Sequence, residues 1–370
     1  MEDKHVQISA DTRAPRILVA LSGGVDSAVA AALMKKSGAE VTGIIMTIYG
    51  GEDTPVQTGH KHGCYGPGEA EDVRDAQAVA DALGIKLYVF DLKAEYQTAV
   101  LDHFKAEYQA GRTPNPCVYC NQRIKLGALL EKASASGIEF DFVVTGHYAR
   151  TEYDPATGRY RLLRGINHDK DQSYFLSRLS QEQLKKVRFP LGELTKEEVR
   201  RLADGLKLPV AEKEESQNFI AGGYRQLVCG EAKPGPILDE SGKVLGSHPG
   251  VAFFTLGQRQ GLGLAAKEPL YVIRIEPEQN AIIVGGKEAV YRSEVLANDL
   301  NWISIENLTS SLDVAARIRS GASPVPARIE SLGPDRIKVV FNEPQMAPAP
   351  GQAIVLYDGE VVVGSGVINH

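Results

Sequence analysis

The chain has 370 residues, 43% hydrophobic and 24% charged, with a formal net charge of −6. Its length exceeds the roughly 250–300 residues at which a single core stops growing, so two or three domains are expected, and the composition excludes disordered and fibrous classes. Four cysteines are too few for a disulfide framework, and an acidic chain that binds RNA must do so through a local basic patch.

The opening stretch MEDKHVQISADTRAP is polar, without the apolar core of a leader, and the longest strictly apolar run, Ala28 to Met34, is far too short to span a bilayer. A cytoplasmic protein with no membrane partner is expected. An apolar run from Ile17 to Leu21 predicts a first strand, followed by an alanine-rich helix from about Ser27. Val41 to Ile48 predicts a second strand, then a loop and a helix from about Ala70; Leu87 to Leu92 a third, with a helix from about Ala94. A helix around Leu126 to Ala135 precedes a strand from Phe142 to Thr145. Short apolar strands alternating with helices predict an α/β domain with a parallel, doubly wound sheet, whose ligands lie at the carboxyl ends of the strands. Near residue 210 the pattern changes to short strands punctuated by Gly and Pro, among them PLYVIRIE, AIIVGG, RIKVVF and AIVLYDGEVVVGSG, with Asp358-Gly359 as a hairpin turn. These strands predict small barrels. The expected domains are residues 1–212 for nucleotide chemistry, a small central domain over 213–290 and a C-terminal β-barrel over 291–370.

Two stretches carry chemistry. In SGGVDS, Ser22 to Ser27, a glycine-rich turn joins the first strand to its helix, so backbone N–H groups and the helix dipole converge on an anion. The Gly-Lys-Ser/Thr ending of a P-loop and the G-x-G-x-x-G of a dinucleotide site are both missing. The plain alternative is a tight turn capped by Ser22 or Ser27. In PNPCVYCN, Cys120 lies near Arg112, Arg123 and Lys125 in sequence, which makes it a candidate low-pKa thiolate with Cys117 as its neighbour. An inert buried cysteine is the alternative.

SGGVDS in this context resembles the pyrophosphate loop of the ATP pyrophosphatase superfamily. GRTPNPCVYCNQRIK (Gly111 to Lys125), TGHYAR (Thr145 to Arg150), KDQSYFL (Lys170 to Leu176) and TLGQRQGLG (Thr255 to Gly263) then follow in the order seen in bacterial tRNA-specific 2-thiouridylases. The resemblance runs from the first strand to the end of the chain. It implies ATP-dependent adenylation of the C2 oxygen of the wobble uridine in the anticodon loop, release of AMP and pyrophosphate, and sulfur transfer. By the same resemblance Ala20, Leu21, Ser22, Gly23, Gly24, Val25, Asp26, Ser27, Met46 and Gly146 hold ATP. Asp26 acts on Mg²⁺ or on the loop itself. Asn115, Pro116 and Cys117 face the target base, while His147, Lys170, Asp171, Gln172, Arg317, Ile318 and Gln352 touch tRNA. Cys120, Cys117 and Asp26 are the catalytic candidates. The partners implied are tRNA and a sulfur donor protein or sulfide.

The chain departs from this pattern at its thiols. Many members carry an aspartate where Cys117 stands and a second, sulfur-carrying cysteine in a later ESQ…CF segment; here that segment reads ESQNFIAGGY, with Asn218 nearest the carrier position. Two readings follow. Cys117 and Cys120 perform both thiol roles, or they join a third cysteine in a [4Fe–4S] cluster, with Cys64 favoured for its place in the loop after the second strand and Cys229 as the alternative. Rival functions are another adenylating synthetase of the superfamily, and a non-catalytic nucleotide- and RNA-binding sulfur-relay or iron–sulfur scaffold.

Overall fold

The computed structural model describes residues 13–51, 63–214, 218–220, 224–228 and 232–369. The chain forms two compact units, Met1–Tyr96 with Cys120–Ala221, and Gln97–Tyr119 with Gly222–His370.

In the first unit the strands are β1 (Arg16–Ala20), β2 (Glu40–Thr47), β3 (Gly63–Tyr65), β4 (Lys86–Asp91), β5 (Phe142–Val144), β6 (Ala149–Asp154), β7 (Arg159–Arg164), β8 (Val187–Arg188) and β9 (Asn218–Ile220). Five of them form a wholly parallel sheet in the order β4-β2-β1-β5-β8. The order reverses beside β1, where a crevice opens at the carboxyl ends of β1 and β5. Ile17, Leu18 and Val19 are almost solvent-free, as expected of a central strand covered on both faces. Helix α1 (Val25–Lys36) lacks an amphipathic stripe because it is buried nearly all round: Ala28 to Ala31 are 0% exposed. Helix α2 (Glu69–Leu83) ends at Gly84, whose φ of 60° suits a left-handed cap.

Three departures from the sequence reading matter. The helix placed at Leu126 to Ala135 is the end of a helical run that begins with α5 (Pro116–Tyr119), continues as a π-helical segment over Cys120–Ala128 and finishes as α6 (Leu129–Ala135); α3 (Lys93–Tyr96) and α4 (His103–Gln109) precede it. After α7 (Ser173–Leu176), the π segment is held by Gln183 of α8 (Gln181–Lys186), whose Nε2 donates to the Gln122 and Leu126 carbonyls at 2.7 and 2.8 Å. An antiparallel hairpin, β6–β7, also interrupts the α/β alternation. The third concerns Asp358, which pairs with Val361 as the end of a strand, so that Gly359 (φ 57°) and Glu360 make the turn.

The second unit contains α4, α5 and α10 (Arg225–Val228). Its first sheet orders β10 (Gly235–Leu238), β11 (Val244–His248), β12 (Tyr271–Glu276) and β13 (Ala281–Gly285) as β11-β10-β13-β12. Strands β14 (Tyr291–Trp302), β15 (Leu312–Arg317), β16 (Val325–Gly333), β17 (Arg336–Met346), β18 (Ala353–Asp358) and β19 (Val361–Asn369) form an antiparallel barrel that closes where β14 pairs with β19. Closure removes the exposed edges. Its interior is filled by residues such as Ala297, Ile329, Val339, Ile354 and Leu356. No helix among the described residues is long and apolar enough to cross a membrane.

Candidate active site

The turn after β1 closes on itself. Ser27 Oγ accepts the Ser22 amide at 3.1 Å and donates to the Gly24 carbonyl at 3.0 Å. Ser27 thus braces the loop, while Gly24 caps α1 without a side-chain bond and leaves first-turn amides directed at the crevice. Two glycines are sterically required. Gly23 has φ +72°, and a Cβ there would lie 2.5 Å from the Asp72 carbonyl oxygen; a Cβ on Gly146 would lie 2.6 Å from the Ser27 nitrogen. Gly146 therefore lets the end of β5 abut the first turn of α1.

A pocket of about 290 Å³ opens on this turn. Ala20, Leu21, Ser22, Gly24, Val25, Asp26, Ser27, Met46 and Gly146 all line it, together with His147, Gln172 and Cys64, which the sequence reading had assigned to tRNA or a cluster. Asp26 is engaged inside the protein: its Oδ1 accepts from Lys196 Nζ at 2.7 Å and from the Tyr148 hydroxyl at 2.9 Å. Glu69 accepts the Ile48 and Tyr49 amides, and Lys213 bridges Asp72 (2.8 Å) and Asp75. His147 shares a 2.7 Å hydrogen bond with Thr145, and burial, aided by Lys125, holds its pKa down at about 3, so the ring is neutral.

Sequence reasoning missed Lys196, Tyr148, Lys213 and Glu69. One signal was available for Lys196. It is the first residue of helix α9 (Lys196–Gly205), inside a Thr195–Glu198 capping box, where the helix dipole disfavours a cation. A lysine there needs an anionic partner, and Asp26 is that partner.

The cysteines depart from expectation. Asn115 caps α5, its Oδ1 accepting the Cys117 amide at 3.2 Å with Pro116 at the first helical position, so its side chain serves the helix. Cys120 opens the π segment and is followed by Asn121, which donates to the Phe175 carbonyl at 3.1 Å and ties PNPCVYCN to the KDQSYFL segment. Cys120 is not a low-pKa thiolate. Burial pushes its thiol up to about 11, more than Lys125 pulls it down, and Cys64 raises it further. Arg112 is bonded to Glu107, Nε to Oε2 at 2.8 Å.

Among the expected tRNA contacts, Asp171 has a buried carboxylate that accepts the Ser173 amide and hydroxyl, both at 3.0 Å, so it organises the loop. Gln172 accepts the Tyr148 amide at 3.0 Å, and Lys170 is half-buried in the same loop. Ile318 points into the barrel core at 4% exposure, which removes its side chain from any surface contact. Arg317 donates to the Ser320 carbonyl. Gln352 Nε2 donates to the Thr113 carbonyl at 2.9 Å, bracing the loop that leads to Asn115. Among the described residues no three His, Cys, Asp or Glu side chains come together as a metal site. Cys229 lies outside the described residues.

Residues 15–221 match the family model described as the tRNA methyl transferase HUP domain, 228–286 the tRNA methyl transferase PRC-barrel domain and 292–368 the aminomethyltransferase beta-barrel domain. The tRNA-specific 2-thiouridylase MnmA of Moorella thermoacetica is 48% identical over 358 residues, covering 95% of this chain and 98% of that protein. The chain belongs to the tRNA-specific 2-thiouridylase family. Other 2-thiouridylases are similarly close: that of Endomicrobium trichonymphae is 44% identical (95% and 98% covered) and that of Geotalea uraniireducens 46% (96% and 95%). Among solved structures, a 4-thiouridine synthetase–RNA complex with bound ATP is 17% identical at a TM-score of 0.33, covering 55% of this chain and 44% of that one, a likeness too slight to bear weight.

Proposed function

We propose that this 2-thiouridylase is a tRNA-uridine 2-sulfurtransferase: it adenylates the C2 oxygen of the wobble uridine with ATP and replaces that oxygen by sulfur, releasing AMP and pyrophosphate. The observation that carries the reading is near full-length similarity to 2-thiouridylases at 42–48% identity. The chemistry of the pocket agrees with it. A carbonyl oxygen is a poor leaving group, and adenylation converts it into a good one. The loop amides and the N-terminus of α1 suit the departing pyrophosphate. Asp26 anchors the loop through Lys196 and Tyr148.

Asp26, Glu69 and Asp72 supply the carboxylate type that Mg²⁺ prefers, and bound Mg²⁺ would neutralise phosphate charge there. Each is already bonded within the protein, so the cation would be held chiefly by the phosphates and water. A [4Fe–4S] cluster fits less well: no group of three cluster-ligating side chains gathers among the described residues. The partners are the tRNA anticodon loop, where the target base is accessible, and a donor of persulfide or sulfide.

The test is nucleoside mass spectrometry of tRNA incubated with the protein, ATP, Mg²⁺ and a sulfur source, with nucleotide products followed in parallel. 2-Thiouridine with AMP and pyrophosphate is expected. Release of ADP and phosphate, or the absence of thiouridine from every sulfur source, refutes the reading.

A further inference from the structure

We propose that Cys64 carries the sulfur to the adenylated base and that Cys120 resolves it by forming a Cys64–Cys120 disulfide. The inference rests on the thiolation reading above and names which of the four cysteines does what. Cys64 is exposed, open to a donor, and lines the nucleotide pocket beside the loop where adenylation takes place. Its strand is fixed on both sides. Gly63 and Tyr65 of β3 pair with Asn218 and Ile220 of β9, and the Tyr65 ring packs against Tyr49 and Tyr96 at centroid distances of 5.3 and 5.6 Å. Cys120 opens the helical segment that carries Lys125, and Lys125 lines the same pocket. The two thiols also sense one another, since charge on Cys64 disfavours charge on Cys120. Cys120 is half-buried and its thiol is held protonated by desolvation, which suits a group that acts late and ill suits one that must receive sulfur from outside.

The Cys64 thiolate attacks the outer sulfur of a donor persulfide, R–S–SH, giving Cys64–S–SH and the donor thiolate. The deprotonated persulfide attacks C2 of the adenylated uridine, AMP leaves with the C–O bond's electron pair, and tRNA is joined through C2–S–S–Cys64. The Cys120 thiolate, its proton having passed to solvent, attacks the Cys64 sulfur; the S–S bond to the base breaks and its electron pair leaves on the base sulfur as 2-thiouridine. The two thiols are oxidised to one disulfide, the transferred sulfur is reduced, and an external dithiol resets the enzyme.

The test is a single turnover of the full chain with tRNA, ATP, Mg²⁺ and a small alkyl persulfide, without reductant, followed by acid quench, alkylation and peptide mapping. A Cys64–Cys120 disulfide is expected at about one per 2-thiouridine formed. Cys64→Ala is expected to lower thiolation and AMP release together by about a hundredfold, because AMP leaves only when the Cys64 persulfide attacks C2, whereas a tRNA-dependent burst of pyrophosphate still marks adenylation of the base. A Cys117–Cys120 or Cys120–Cys229 disulfide in its place, or undiminished thiolation by Cys64→Ala, overturns the assignment. So does about four iron per chain after anaerobic purification with thiolation lost on iron removal. If Cys64→Ala also loses the pyrophosphate burst, the wild-type disulfide map decides. A wild-type protein that makes no 2-thiouridine fails the parent reading, which is a distinct result.

Discussion

At the scale of single residues the site depends on how two groups are charged. Asp26 and Lys196 form a 2.7 Å ion pair in which the lysine side chain is only 10% exposed. Lys196→Met leaves the carboxylate with Tyr148 alone and should slow tRNA-dependent AMP formation by about ten- to a hundredfold, tRNA affinity being unchanged. Asp26→Asn should do the same, and the double variant should be little worse than either single one, because both remove one interaction. Additive losses would show that the two residues act apart. Cys120 supplies the second case. With its thiol near 11, the ionised fraction below that pH grows about tenfold per unit, so alkylation of Cys120 by iodoacetamide should climb steeply from pH 7 to 9. Lys125→Met should slow alkylation at every pH in that range, because the lysine charge favours the thiolate. A plateau below pH 8, read by peptide mapping, would contradict the burial argument. Proximity of cations in the chain suggested the opposite, since spacing along a sequence reports charge and is blind to desolvation.

At the scale of elements, the site is a junction between β1, β5 and α1. Gly146 makes that junction possible, and its neighbours are backbone atoms that cannot rotate away. Gly146→Ala should push β5 from the first turn of α1 and weaken ATP binding by about tenfold or more, measured by equilibrium titration, with the far-UV spectrum unchanged. Undiminished affinity would mean that the loop is set elsewhere. The sequence showed β1, β2, β4 and β5 to within about a residue because each is a short, mostly apolar run set between helical stretches. It hid the π segment at Cys120, since the carbonyls that segment strands are bonded by Gln183, which lies 57–61 residues away.

At the scale of the whole molecule, a chain of net charge −6 must gather cations to hold a polyanion. Arg319 is exposed, whereas Arg317 is half-buried and donates to the Ser320 carbonyl. Arg319→Ala should therefore lower the slope of log Kd against log salt for tRNA by up to about 0.7–0.9, with Arg317→Ala having the smaller effect. An unchanged slope for both would exclude this part of the barrel from the RNA contact. Gln352 acts differently. It reaches the 111–119 segment within the second unit, so the barrel helps to hold the chain that leads to Asn115.

The sequence by itself determined the parallel sheet, the glycine-rich turn after β1 and the turn-rich β half, because strand length, helix propensity and glycine placement are local properties written in a few consecutive residues. Only the tertiary structure decided which polar groups meet: that Lys196 closes on Asp26 across 170 residues, that Asp171 and Ile318 are buried, and that Cys64 shares a pocket with the loop. Burial and charge pairing depend on what the rest of the chain brings to a site, and no local pattern encodes that.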